Sequence, residues 1–210
     1  MAVSLRTSRL LLRPWRDEDI AAFVEMSGDP LVMEHLLPAR EDWVTRARAH
    51  WDEHGFGQWV VELLDAANFI GVVGLGVVSY QAAFTPAVEV AWRLARPYWG
   101  QDYATEAAKA ALDYGFGKLG LSEIVALTVP ANRRSRRVME HLGMTRSPGD
   151  DFDHPRVPEG PLKRHVLYRL SDGEAAAPLR SCCRLRSGAS RGSQTSHRSL
   201  LDNVGERLDV

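Results

Sequence analysis

Trp92, Arg93, Leu94, Arg96, Pro97, Tyr98, Trp99, Gly100, Gln101, Asp102, Tyr103, Ala104, Thr105, Glu106 and Ala107 join an apolar strand to a small-residue helix through a glycine-containing turn. The first backbone N–H groups of a helix have no intrahelical partners, and the aligned peptide dipoles place about half a positive charge there. A tight turn feeding such a helix suits a phosphate or pyrophosphate group, coenzyme A being one ligand that carries it. Ordinary packing of a helix on a sheet uses the same residue types, so both readings of this stretch stand.

The elements around it position that turn. Ala104, Ala107, Ala108, Ala111, Leu112, Gly115, Phe116 and Leu119 recur at three- and four-residue spacing, predicting a helix whose alanine face packs closely on a sheet. Glu123, Ile124, Val125, Ala126, Leu127, Thr128 and Val129 predict a buried strand that Pro130 stops. Asn132 then reads as the N-cap of a second helix through Leu142, with Val138, Met139 and Leu142 facing inward and Gly143 ending it in the left-handed conformation.

Tyr98-Trp99-Gly100-Gln101-Asp102-Tyr103-Ala104-Thr105-Glu106-Ala107, followed by Asn132, Ser135, Arg136, Val138, Met139, Glu140, Leu142, Gly143 and Met144, resembles the GNAT N-acetyltransferase superfamily. The branch it is most similar to is the ribosomal-protein N-terminal acetyltransferases. The resemblance runs over residues 5–170, from Arg9-Leu10-Leu11-Leu12-Arg13-Pro14-Trp15 to His165-Val166-Leu167-Tyr168-Arg169-Leu170. It implies an α/β fold with a mixed, mostly antiparallel central sheet flanked by helices and splayed between its fourth and fifth strands, expected at residues 88–94 and 123–129.

The activity implied is transfer of acetyl from acetyl-CoA to a primary amine, on a protein N-terminus or a small molecule, by direct attack without a covalent enzyme intermediate. Such a step needs a base for the amine proton and a donor for the departing thiolate. Within the resemblance Glu89 is the base, on a strand that alternates Val88, Val90, Trp92 and Leu94 with Glu89, Ala91 and Arg93. The other reading of Glu89 is a salt bridge at the sheet edge. Ser135 matches a serine near the coenzyme sulfur, although a first-turn helix serine has the same place. Trp92, Arg93 and Leu94 would line the thioester arm, and Trp99, Gly100, Gln101, Asp102, Tyr103, Ala104 and Thr105 the pyrophosphate. Asn132 would both cap its helix and contact the coenzyme. Arg133, Arg134, Arg136 and Arg137 are within reach of phosphates, yet so many arginines on one short helix are usually solvated.

Asp102 departs from the pattern, because the family usually has glycine there. At about 5 Å and an effective dielectric near 20, its carboxylate would cost a facing phosphate about 3 kcal/mol, about a hundredfold in affinity. Turned outward as an N-cap it would cost little. Aspartate also adopts a positive φ less readily than glycine.

With 210 residues and 45% hydrophobic content, the chain can bury one full core. The organisation expected is a catalytic domain over 1–172 and a Ser/Arg-rich disordered tail over 173–210, with a short helix conceivable near 199–208. A net charge of −1 argues against nucleic acid as a partner. The adjacent Cys182 and Cys183 cannot staple distant segments, and no apolar run reaches the roughly 20 residues of a membrane span, so a cytoplasmic protein, monomeric or homodimeric, is expected. No metal is expected, since Asp151, Asp153 and His154 lie in an acidic stretch, 149–155, that reads as a hairpin loop or as a wall facing a cationic amine. The remaining expected elements are a strand over 9–15, a helix opened by Asp17-Glu18-Asp19, a helix over 40–54, and a hairpin of 58–63 with 69–78. His165 and Tyr168, three apart on a final strand, would face opposite sides. The alternative function is a non-catalytic acyl-CoA-binding or interaction domain of the same fold.

Overall fold

A computed structural model describes residues 3–37, 42–66 and 68–175. The expected tail, its two cysteines, the helix near 199–208 and the helix start at Arg40 lie outside the described residues, apart from the first residues of the tail. The chain forms β1 (Leu5–Arg6), β2 (Leu10–Arg13), α1 (Asp19–Gly28), α2 (Pro30–Met33), α3 (Trp43–His54), β3 (Gln58–Leu63), β4 (Phe69–Val77) and β5 (Val88–Leu94). There follow α4 (Tyr103–Gly117), β6 (Glu123–Thr128), α5 (Arg133–His141), β7 (Thr145–Arg146), β8 (Phe152–Asp153), β9 (Arg164–Ser171) and α6 (Asp172–Ala175).

The sheet runs β1-β2-β3-β4-β5-β6-β9-β7, with β8 on β9, and every pairing is antiparallel except β5 with β6. That exception follows from connectivity, because a helical crossover returns the chain in the same direction. β5 pairs with β4 along its whole length and β6 with β9 over six residues, yet β5 and β6 share only the pair Glu89–Val125. Beyond that pair the two strands diverge, as the resemblance implied for these strands.

One face of the sheet carries α4. Ala107, Ala108, Ala111 and Leu112 are buried with Val73, Leu75, Val90, Leu94 and Ile124 in the main core. Their small side chains let the helix axis approach the strands. On the other face Phe23 and Met26 of α1, Val32 of α2 and Val44 of α3 pack on Val72 of β4.

The N-terminal acidic run works differently from a dipole-favouring cluster. Glu18 occupies the α1 cap position without a side-chain cap bond. Asp19 instead turns into the protein, where both its oxygens accept from Arg13 at 2.7 Å and one accepts the Arg16 N–H at 2.6 Å. Arg13 also donates to Glu62 of β3 at 2.5 Å. All three side chains are buried. Burial raises the Asp19 carboxyl, but the Arg13 and Arg16 hydrogen bonds outweigh it, and its pKa falls below the usual carboxylate range. The cluster ties α1 to the β2–β3 ladder. The strand expected over 9–15 is β2, shorter than expected and preceded by β1, and α2, unforeseen, starts where Asp29 accepts from the Leu31 N–H at 2.9 Å with Pro30 behind it.

Removing the cation strands two buried carboxylates, so Arg13→Met should cost about 3–5 kcal/mol in urea unfolding at neutral pH. Because the Asp19 pKa is lowered in the folded state, its stabilisation is present above about pH 4 and lost as the pH falls through the folded value, which acid titration of unfolding would show.

Candidate functional site

Where β5 and β6 part, the backbone of β5 is left with an open edge. Ala95 donates its N–H to Ile70 of β4, so by alternation Arg93 and Ala91 also bond to β4, while Trp92 and Leu94 point their polar groups toward β6. The Leu94 carbonyl is taken by the Trp99 indole N–H at 2.8 Å. The carbonyl and N–H of Trp92 and the N–H of Leu94 are thus aimed at the gap.

A cleft of about 460 Å³ occupies this gap. Its walls include Trp92, Arg93, Leu94, Trp99, Gly100, Asp102, Tyr103, Ala104, Thr105, Asn132 and Ser135, which are most of the residues singled out by sequence. Two are not brought to it. Gln101 is exposed and donates to the Pro97 carbonyl at 3.1 Å. Glu89 sits at the closing pair of the two strands rather than on the cleft wall.

The turn before α4 is held from outside. Glu106 of its first turn accepts from Thr7 at 2.6 Å, Ser8 at 3.0 Å, and Arg9 through both N–H at 3.0 Å and Nε at 2.6 Å. Arg9 also lies 4.5 Å from the centre of the Tyr103 ring. Glu106 is thus the clamp that fixes the helix start to the β1–β2 turn.

Gly100 (φ 73°) and Asp102 (φ 62°) both adopt the left-handed conformation, Asp102 being the one non-glycine among the described residues to do so. Its side chain is exposed and makes no capping bond, so the outward N-cap geometry is not formed. A carboxylate therefore stands free at the mouth of the cleft. Across the gap, Asn132 caps α5 as expected, accepting from the Ser135 N–H at 3.1 Å while donating to Thr128 at 3.1 Å. Gly143 (φ 78°) ends the helix. The Ser135 hydroxyl has no protein partner among the described residues.

Cations dominate this end. Arg133, Arg134 and Arg137 line the cleft, with Arg134 bound to Glu34 at 3.0 Å and stacked 4.4 Å from the Trp99 ring centre. Arg136 turns away to Tyr168 and the Pro130 carbonyl. Sequence spacing missed Leu31, Val32 and His35, which α2 and the turn after it bring to the wall. No local signal marks them, because their role comes from the long-range placement of α2.

Glu89 is half-buried, and desolvation of its carboxyl pushes the pKa up to about 7. Arg93, on the same face of β5, is lowered to about 10 by burial. The acidic loop does not face an amine freely: Asp150 pairs with Arg169, Asp151 with Arg146 and Asp153 with Arg164. His165 packs near Phe152 and His154, whereas Tyr168 lies in the main core and bonds Glu140, so the two do face opposite sides.

The acetyltransferase (GNAT) domain family matches residues 9–145. The uncharacterized protein YkkB of Bacillus subtilis (strain 168) is 34% identical over 146 residues, covering 67% of this chain and 84% of that protein. The FsC-acetyl coenzyme A-N(2)-transacetylase of Aspergillus fumigatus is 31% identical over 185 residues, covering 81% of this chain and 77% of that protein. A GNAT-family acetyltransferase structure from Bacillus anthracis superposes with a TM-score of 0.67 at 25% identity, over 82% of this chain and 100% of that one. The chain belongs to the GNAT acetyltransferase family. Among the described residues no helix is long and apolar enough to cross a membrane.

Left-handed backbone costs a residue with a Cβ about 1–2 kcal/mol, somewhat less for aspartate. Asp102→Gly should therefore raise the unfolding free energy by about 1 kcal/mol, and Asp102→Ala should lower it. Paired urea titrations check both signs.

Proposed function

We propose that this protein transfers the acetyl group of acetyl-CoA to a primary amine. The observation that carries this reading is the diverging β5–β6 edge, whose Trp92 and Leu94 polar groups face a cleft that also receives the starts of α4 and α5. An amide-bearing pantetheine arm fits such an edge as an added strand would. A pyrophosphate fits the N–H groups after Asp102, with Arg133 and Arg137 adding charge across the gap. The Aspergillus relative's name supports both the donor and a nitrogen acceptor.

In this reading acetyl-CoA supplies a thioester carbonyl open to attack by the amine nitrogen. Glu89 takes the amine proton, directly or through water, and its pKa near 7 matches that task. The Ser135 hydroxyl, with no protein partner among the described residues, donates to the leaving sulfur. Residues 1–172 carry the activity, with 173–210 an appendage, and the acceptor is a protein N-terminus, as in the ribosomal-protein branch, or a small molecule.

Thiol release from acetyl-CoA with a panel of primary amines tests this. Since Glu89 must be ionised to act as base, kcat/KM should rise with pH through about 7 and level off. Glu89→Gln should lower kcat/KM by about 10²–10⁴-fold and remove that inflection. Unchanged rate and profile in the variant would place the base elsewhere. Coenzyme binding without turnover on any amine would favour a non-catalytic acyl-CoA-binding domain, a reading that the free Asp102 carboxylate at the cleft mouth supports.

A further inference from the structure

Arg93 projects from β5 on the face opposite α4. Its guanidinium lies 5.5 Å from the ring centre of Phe23 and 5.6 Å from that of Trp43, two rings that stack on one another at 4.6 Å. A guanidinium carries its N–H donors along its edge. Of the several donors on that edge, one reaches the Ser27 hydroxyl at 3.3 Å.

Among the described residues no carboxylate pairs with Arg93. Asp29 and Glu34 are committed to other cations, Asp29 to Arg96 at 3.0 Å and Glu34 to Arg134 at 3.0 Å, and Glu25 of α1 is exposed. A half-buried arginine without an acidic partner is uncommon, because desolvating its charge is costly unless an anion compensates it. The phosphate-binding features, the start of α4 and the arginines of α5, meet the cleft from elsewhere, so Arg93 is surplus to them.

Glu89, Ala91 and Arg93 share one face of β5. Strand geometry separates the first and last by about 13 Å at Cα, and the small side chain of Ala91 leaves the surface between them low. A molecule lying along this strip would present one end to the glutamate and the other to the arginine.

We propose that Arg93 recognises a carboxylate on the acceptor, so that the acceptor is an amino acid or related compound whose amine and carboxylate are several bonds apart. This rests on the acetyltransferase reading above. A planar guanidinium with a free edge matches a carboxylate in bidentate fashion, and the aromatic walls hold the fork in place.

The test uses the products of such a reaction. N-acetylglycine, N-acetyl-β-alanine and N-acetyl-6-aminohexanoate, each paired with its carboxamide, are titrated calorimetrically into the full chain with and without coenzyme A. The acid should bind about tenfold or more tighter than its amide at the preferred length, with the longer compounds favoured. Arg93→Met should erase the acid–amide difference while leaving the unfolding midpoint near that of the parent, and Arg93→Lys should retain part of it. Equal binding of acid and amide at every length, no binding of any probe, or a preference that survives in Arg93→Met would overturn the proposal. Absence of coenzyme A binding would overturn the acetyltransferase reading instead, and the titrations without coenzyme would still report on Arg93.

Discussion

A single residue pair, Glu89 with Val125, joins the two halves of the sheet at its one parallel pairing among the described residues. β5 is held to β4, and β6 to β9, by long antiparallel ladders, so each half keeps its own twist. Past the shared pair the halves turn away from each other, and backbone groups that a continuous sheet would consume are left facing a gap. The cleft, the exposed polar edge of Trp92 and Leu94, and the place of Glu89 at its closed end all follow from that one limited contact.

The gap would be of little use without helix starts aimed at it, and these are fixed by side chains far away in sequence. Glu106 binds the β1–β2 turn and so sets where α4 begins. The Arg13–Asp19–Glu62 cluster fixes α1 on the opposite face, and with it the aromatic surround of Arg93. Charge is distributed unevenly across the result. Arginines of α5 favour an anion in the cleft, while Asp102, in a backbone conformation suited to glycine, sets a carboxylate at its mouth.

The local features were legible in sequence because they depend on neighbours in the chain. Alanine spacing located the buried face of α4, strict alternation located the two faces of β5, and Asn132 and Gly143 marked both ends of α5. The divergence of β5 and β6 was expected from the family resemblance alone. Contacts between distant segments were not legible: Asp19 reads as a helix-opening acid until Arg13 and Glu62 are seen beside it, and the partners of Glu106 lie on a turn nearly 100 residues earlier. The pairing of the acidic loop was hidden for the same reason, since Arg146, Arg164 and Arg169 hold aspartates that look free in sequence.

Entry of the coenzyme into the gap between β5 and β6 is the claim on which the rest stands. Calorimetric titration of acetyl-CoA into the unmodified chain tests it most directly. The account predicts saturable one-to-one binding that weakens when Arg133 and Arg137 are replaced by alanine. Absence of binding at millimolar acetyl-CoA, in both the unmodified chain and Asp102→Gly, would contradict it.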